Sequence, residues 1–276
     1  MEIIKSCDLN LNIQVKPIVS KNGSLIYETN NHQIVKVFSE STLKDNQELL
    51  KEKLSNPLGI NGVVDPKGLV YVHDNLVGYT MDKIDGKTSS EYERGMSPDY
   101  RKNLYRLAYK YLKLEKIVKE AGQDVVFPEL LDKVFVDKQD NIRIIGFDSI
   151  QMGESKPIRE SLVPASLEKY KSNGMYTKEL DIKSLISFYL IDTIGLNLGS
   201  LEKKVDDIPH YVSRVLDAIE VPSPLKEKIL LLYTENAQNE YLGNDVLEIA
   251  EKCKIVQDDC WIYPCNKRLV MKWWME

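Results

Sequence analysis

The chain has 276 residues, of which 43% are hydrophobic and 29% charged, with a formal net charge of -5. That length and apolar content exclude a disulfide-stapled mini-protein and a disordered chain, and they suffice for one large two-part domain or two modest ones. The mildly acidic balance sets up no field that would gather nucleic acid or an anionic membrane, so neither is expected as a partner.

In chain order, Ile13-Gln14-Val15, Leu25-Ile26-Tyr27 and Ile34-Val35-Lys36-Val37-Phe38 are apolar, β-branched pieces separated by Lys21-Asn22-Gly23-Ser24 and Thr29-Asn30-Asn31-His32. This spacing predicts an antiparallel meander. A helix is predicted from Ser41 to Leu54, with Ser41 or Thr42 as its cap, apolar Leu43, Leu49, Leu50 and Leu54, and Asn56-Pro57 as its stop. Two further strands, Val63 to Val72 and Leu76 to Met81, flank a His73-Asp74-Asn75 turn. Up to Gly86 the count is five strands and one helix.

The pattern then changes period. Leu104, Leu107, Ala108, Tyr111, Leu112, Leu114, Ile117 and Val118 predict a long helix over 101–120. A short hairpin is predicted from Val134-Phe135-Val136-Asp137 and Ile142-Arg143-Ile144-Ile145, and Asp181 to Lys252 reads as mostly helical.

Several segments carry chemistry when taken in order. Lys36 sits in the third predicted strand, and the helix after it places Glu48 and Glu52 on one face at i,i+4 spacing. Val77-Gly78-Tyr79-Thr80-Met81-Asp82-Lys83-Ile84-Asp85-Gly86 runs a strand into a glycine turn. Asn141-Ile142-Arg143-Ile144-Ile145-Gly146-Phe147-Asp148-Ser149 closes the hairpin, Leu162 to Glu168 follows, and Tyr176 to Leu185 opens a helix with Asp181 near its start. A strand lysine alone is ordinary surface decoration. The ordered set resembles the eukaryotic-type protein kinase superfamily, in a bacterial-style pseudokinase form, over about residues 12–250.

The resemblance implies an α+β, bilobal, protein-kinase-like fold. Residues 1–86 would form an N-lobe of a five-stranded antiparallel sheet plus one helix, and 87–252 a mainly helical C-lobe, with 253–276 an aromatic tail packed on the C-lobe. It implies that Lys36 contacts ATP phosphates, that Glu52 (or, second, Glu48) is its ion-pair partner, that Met81 is the gatekeeper, and that Asp82 and Ile84 offer backbone groups to an adenine edge. Asp181 would brace the catalytic loop.

Phosphoryl transfer in that family needs a carboxylate to orient the attacking hydroxyl, an Asn and an Asp to hold magnesium, and a glycine-rich loop over the phosphates. In this register Pro128 stands at the catalytic aspartate, Lys133 at the metal-binding asparagine and Gly146 at the metal-binding aspartate. Neither an ammonium nor a bare glycine binds a hard cation. The three loop glycines fall on Val19, Lys21 and Ser24, with Gly23 one residue out of place.

The functional expectation is therefore a catalytically impaired, kinase-like scaffold, regulator or nucleotide-binding partner. ATP is its one implied cofactor, without strong magnesium dependence, and its protein partner is not specified. Two alternatives stay open. One is a noncanonical active phosphotransferase recruiting Asp132 or Asp148, with Glu129 nearby. The other is an interaction module working through the tail, where all three tryptophans (Trp261, Trp273, Trp274) lie.

The start, Met1 to Asp8, lacks a basic stretch followed by an apolar run, and the apolar window Leu185 to Leu198 contains Asp192, so a cytoplasmic location is expected. Cys7, Cys253, Cys260 and Cys265 read as free thiols. Together with the scattered His32, His73 and His210 they suggest no metal site.

Overall fold

The computed structural model describes residues 2–5, 8–12, 15–20, 23–44, 46–89, 100–155, 170–194, 207–218, 223–231, 241–248 and 250. The fold is mixed α+β. Its strands are β1 (Glu2–Lys5), β2 (Ile18–Val19), β3 (Leu25–Glu28), β4 (Gln33–Val37), β5 (Pro66–Val72), β6 (Asn75–Asp82), β7 (Gly86–Thr88), β8 (Val125–Val126), β9 (Val134–Asp137), β10 (Ile142–Ile144), β11 (Gln151–Met152), β12 (Lys171–Ser172) and β13 (Met175–Tyr176). Its helices are α1 (Glu40–Leu43), α2 (Gln47–Ser55), α3 (Tyr100–Glu120), α4 (Leu130–Lys133), α5 (Lys178–Ile194), α6 (Ile208–Ala218) and α7 (Ser223–Leu230).

These elements group into two compact units. One contains the described residues up to 89 together with 120–155, and the other most of α3 together with α5, α6 and α7. The expected boundary after Gly86 lies near the end of the first stretch, whereas the hairpin region 120–155 clusters with the sheet rather than with the helices.

The first unit is built on a six-stranded sheet in the order β1-β5-β6-β4-β3-β2. Its antiparallel run from β2 to β6 follows the turn chemistry of the sequence. His73 and Asp74 both adopt positive φ (46° and 66°), as a two-residue hairpin turn requires, and β5 and β6 pair on either side of them. The sixth strand, β1, was not expected; it lies parallel to β5, and its Ile4 projects over Gly68, where a Cβ would stand 2.7 Å from Ile4 Cδ1. The first strand of the meander is Ile18–Val19, while Ile13 and Gln14 lie outside the described residues.

The single helix expected over 41–54 is two. α1 is followed by a break, and α2 starts after Asn46 and ends at Ser55, next to the Asn56-Pro57 stop. Thr42 is buried within α1 instead of capping it. Leu50 and Leu54 turn α2 inward, where it packs on β5, β6 and the 3-10 turn Phe147–Ser149. A three-stranded sheet, β10-β9-β7, adds one strand to the expected hairpin, and β8 pairs with β11.

In the second unit α3 buries Leu107, Ala108, Tyr111, Leu114, Ile117 and Val118, the spacing of one helical face. Tyr111 meets Tyr189 of α5 edge-on, with ring centroids 5.4 Å apart. The Leu242 N–H donates to the Tyr111 hydroxyl (3.1 Å) and the Gly243 N–H to the Glu115 carboxylate (3.0 Å), so two buried side chains of α3 fix the 241–243 backbone.

No helix among the described residues is long and apolar enough to cross a membrane. The segment 162–168 and the tail 253–276, with its tryptophans and three of the cysteines, lie outside the described residues, as does Cys7.

Gly78 gives a direct check on the central strand pairing. It faces Val37 across β4 and β6, and a Cβ there would stand 2.1 Å from the Lys36 carbonyl oxygen, a backbone atom that cannot move aside. Gly78→Ala is expected to cost about 3 kcal/mol and to lower the thermal unfolding midpoint by roughly 6–12 °C, read by circular dichroism.

Candidate functional site

β4 and β6 pair antiparallel with Lys36 opposite Tyr79 and Ile34 opposite Met81. Because strand side chains alternate, Ile34, Lys36, Tyr79 and Met81 share one face of the sheet. On that face Lys36 meets Asp148. Its ammonium donates to both carboxylate oxygens at 2.7 Å, and the Tyr79 hydroxyl donates to Oδ1 at 3.0 Å. All three residues are buried.

A second lysine reaches the same residue from α2. Lys53 is only 1% exposed, and its Nζ donates to the backbone carbonyl of Asp148 at 3.1 Å. Lys36 therefore pairs with Asp148, and neither Glu52 nor Glu48 takes the expected partner role, since both are exposed on α2. The helical phase explains the difference. Leu50 and Leu54 mark the inward stripe of α2, and Lys53, three residues after Leu50 and one before Leu54, lies on it while Glu52 is rotated off. That stripe was the available signal for Lys53.

Burial pushes the Asp148 carboxyl upward. The Lys36 charge, the hydrogen bonds from Lys36 and Tyr79, and the charge of Lys133 more than reverse this, leaving it below the ordinary carboxylate range. Burial likewise raises the Tyr79 hydroxyl well above its usual value, and the adjacent Asp148 charge raises it further. Lys53 goes the other way. Desolvation lowers it from 10.5 to about 8, although the charge of Asp148 opposes the drop.

Of the three positions read as chemically altered, Lys133 and Gly146 meet in space. Pro128 is buried in the turn before α4, and Lys133 ends that helix with its Nζ 3.2 Å from Glu129. Gly146 has φ 79°, in the left-handed region, and a Cβ built on it would stand 3.1 Å from Lys133 Cδ and 3.2 Å from Cε. The lysine chain thus lies in the space a side chain at 146 would take. Ser149 closes the turn, its N–H and hydroxyl both donating to the Gly146 carbonyl at 2.8 Å. Phe127, Leu130, Lys133, Ile144, Ser149 and Ile150 line a small niche beside this turn.

Among the strand-to-turn residues, Met81 is buried, Ile84 half-buried and Asp82 exposed, with the Asp82 carboxylate 2.6 Å from Lys67. Of the positions expected for phosphate-loop glycines, Val19 lies exposed in edge strand β2 and Ser24 is buried, while Lys21 lies outside the described residues. The Ser24 carbonyl accepts from both the N–H and the hydroxyl of Ser20, so hydrogen bonds tie the two ends of this turn.

Asp148, considered as an alternative metal ligand, has both carboxylate oxygens on Lys36; the side chain of Asp132, the other alternative, lies outside the described residues. No group of three or more His, Cys, Asp or Glu among the described residues is arranged to hold a metal ion. In the other unit Asp181 is fully buried, with Lys178 Nζ 2.9 Å from its carboxylate in an ion pair.

A scan of the chain against protein-family models finds no match, and a search of curated proteins finds none either.

Two measurements test the electrostatics of the cluster. With a folded-state value of about 8 against 10.5, the charged form of Lys53 opposes folding below pH 8, and the penalty fades as pH rises from 8 to 10.5. Its full size is roughly 3 kcal/mol. Denaturant unfolding at pH 7 and pH 10 should show Lys53→Met gaining on the native protein at pH 7 and losing that advantage at pH 10. Asp148 has the opposite sign, since a depressed carboxyl contributes stability above its unfolded value and loses it as pH falls through the folded one. Asp148→Asn should cost about 3–5 kcal/mol at pH 7, by stranding Lys36, with the gap to the native protein narrowing in acid.

Proposed function

We propose that this chain is a kinase-like protein that has given up phosphoryl transfer and serves as a scaffold or regulatory partner of another protein. The observation that carries this reading is Lys133 packed over Gly146. On the kinase-like register those are the two positions for magnesium ligands, and they hold an ammonium-bearing chain and a residue without a side chain.

The surroundings support it. Lys36 lies on β4 directly beside β6, which continues into Met81, Asp82 and Ile84, the arrangement expected of a phosphate lysine next to an adenine-facing segment. The carboxylate that could have served chemistry, Asp148, is held on Lys36 and Tyr79. The inward residue of α2 near this lysine is Lys53, a second cation where the family's ion pair would need a glutamate. Pro128 offers no carboxylate to orient an attacking hydroxyl, and loss of a general base costs on the order of a hundred- to ten-thousand-fold in rate. A nucleotide taken up here would rest on Lys36 and the backbone at Asp82 and Ile84, with magnesium contributing little.

The test is transfer of labelled γ-phosphate from ATP to the protein itself or to generic acceptors, with magnesium and then with manganese. No incorporation above that of a Lys36→Ala control is expected, and any thermal shift given by ATP should be the same with magnesium as with EDTA. Metal-dependent incorporation that disappears in Lys36→Ala would refute the reading.

A further inference from the structure

Lys36 and Lys53 arrive from different elements, a strand and a helix, yet both donate to one residue, and Lys133 stands near enough for its charge to act on the same carboxylate. Three ammonium groups around one carboxylate is the composition of an oxyanion seat, and here the anion is supplied by the chain. The seat is also shaped for it. Asp148 takes Lys36 on both oxygens and Tyr79 on one, while the positive φ of Gly146 and the Ser149 hydrogen bonds turn the backbone so that the carboxylate faces β4.

We propose that Asp148 is a built-in anion that occupies the lysine seat, so that a polyphosphate reaches Lys36 only after the 147–149 turn is displaced. This deepens the preceding reading and rests on its assignment of Lys36 to phosphate contact. A ligand that must first open such a contact binds with its intrinsic affinity multiplied by the small fraction of open molecules. Loosening the contact without changing the charge balance should therefore tighten polyphosphate binding, although nothing has been added to the site.

Tyr79→Phe does this, since it removes one hydrogen bond to Asp148 and keeps the ring that packs 5.8 Å from Phe38. Losing a hydrogen bond to a charged group raises the open fraction by about tenfold or more. Calorimetric titration with inorganic tripolyphosphate in EDTA should find weak or unmeasurable binding to the native protein and binding roughly tenfold tighter in Tyr79→Phe. Asp148→Asn, where circular dichroism shows it folded, should bind tighter still. An affinity unchanged between native protein and Tyr79→Phe overturns the proposal, whether or not Asp148→Asn folds. Phosphate transfer by the native protein would instead overturn the preceding reading and leave this comparison to be judged separately.

Discussion

The sheet unit is organised around the ion pair between Lys36 and Asp148, two residues 112 positions apart whose charges are both removed from water. Burying such a pair is costly unless the geometry satisfies both partners, because desolvation of each charge rivals their mutual attraction. Here the remaining acceptor capacity of the carboxylate is taken by Tyr79, and the carbonyl of the same residue is taken by Lys53. The arrangement ties β4, β6, α2 and the 3-10 turn to one point. Deleting the Asp148 carboxylate strands the Lys36 charge and the Tyr79 hydroxyl together, and deleting the Lys36 ammonium strands the carboxylate, so these three groups behave as a unit.

Gly146 and Lys133 are one structural feature rather than two. At φ 79° a side chain is disfavoured at 146 whatever surrounds it, and the space it would enter is already filled by the aliphatic stem of Lys133. An aspartate placed at 146 would be strained in the left-handed backbone and would have to push the lysine aside. The backbone conformation that removes the side chain also aims Asp148 at Lys36. The absence of a side chain at 146 and the internal ion pair thus have a common origin in how this turn is folded.

Much of the sheet unit was legible in the sequence because its signals are local. Alternation, the His73-Asp74-Asn75 turn and the Asn56-Pro57 stop place β3 to β6 and the end of α2 to within a few residues, and the run of apolar residues over 101–120 locates α3. β1 escaped because four residues with two charges at an exposed edge carry no periodic signal; its partner is chosen by a glycine more than sixty positions away, Gly68. The site was legible as a set of positions but not as a set of partners. Lys36, Lys133, Gly146 and Asp148 are all prominent in the sequence, yet which carboxylate faces Lys36 depends on the rotation of α2 and on the hand of one glycine. A one-residue error in helical phase, Glu52 for Lys53, reverses the sign of the charge beside the lysine.

That reversal bears on what the unit can be used for. In a site that turns over ATP, the lysine must exchange partners, and a second cation beside it would hold anionic ligands and product too firmly unless a metal and carboxylates balanced the charge. In this chain Lys36 is paired with Asp148 and Lys133 with Glu129, while Lys53 donates to the Asp148 carbonyl, so the turn and the sheet are held together from within. A lysine already paired with a carboxylate of its own chain suits the non-catalytic role proposed above better than one that must exchange partners at every turnover.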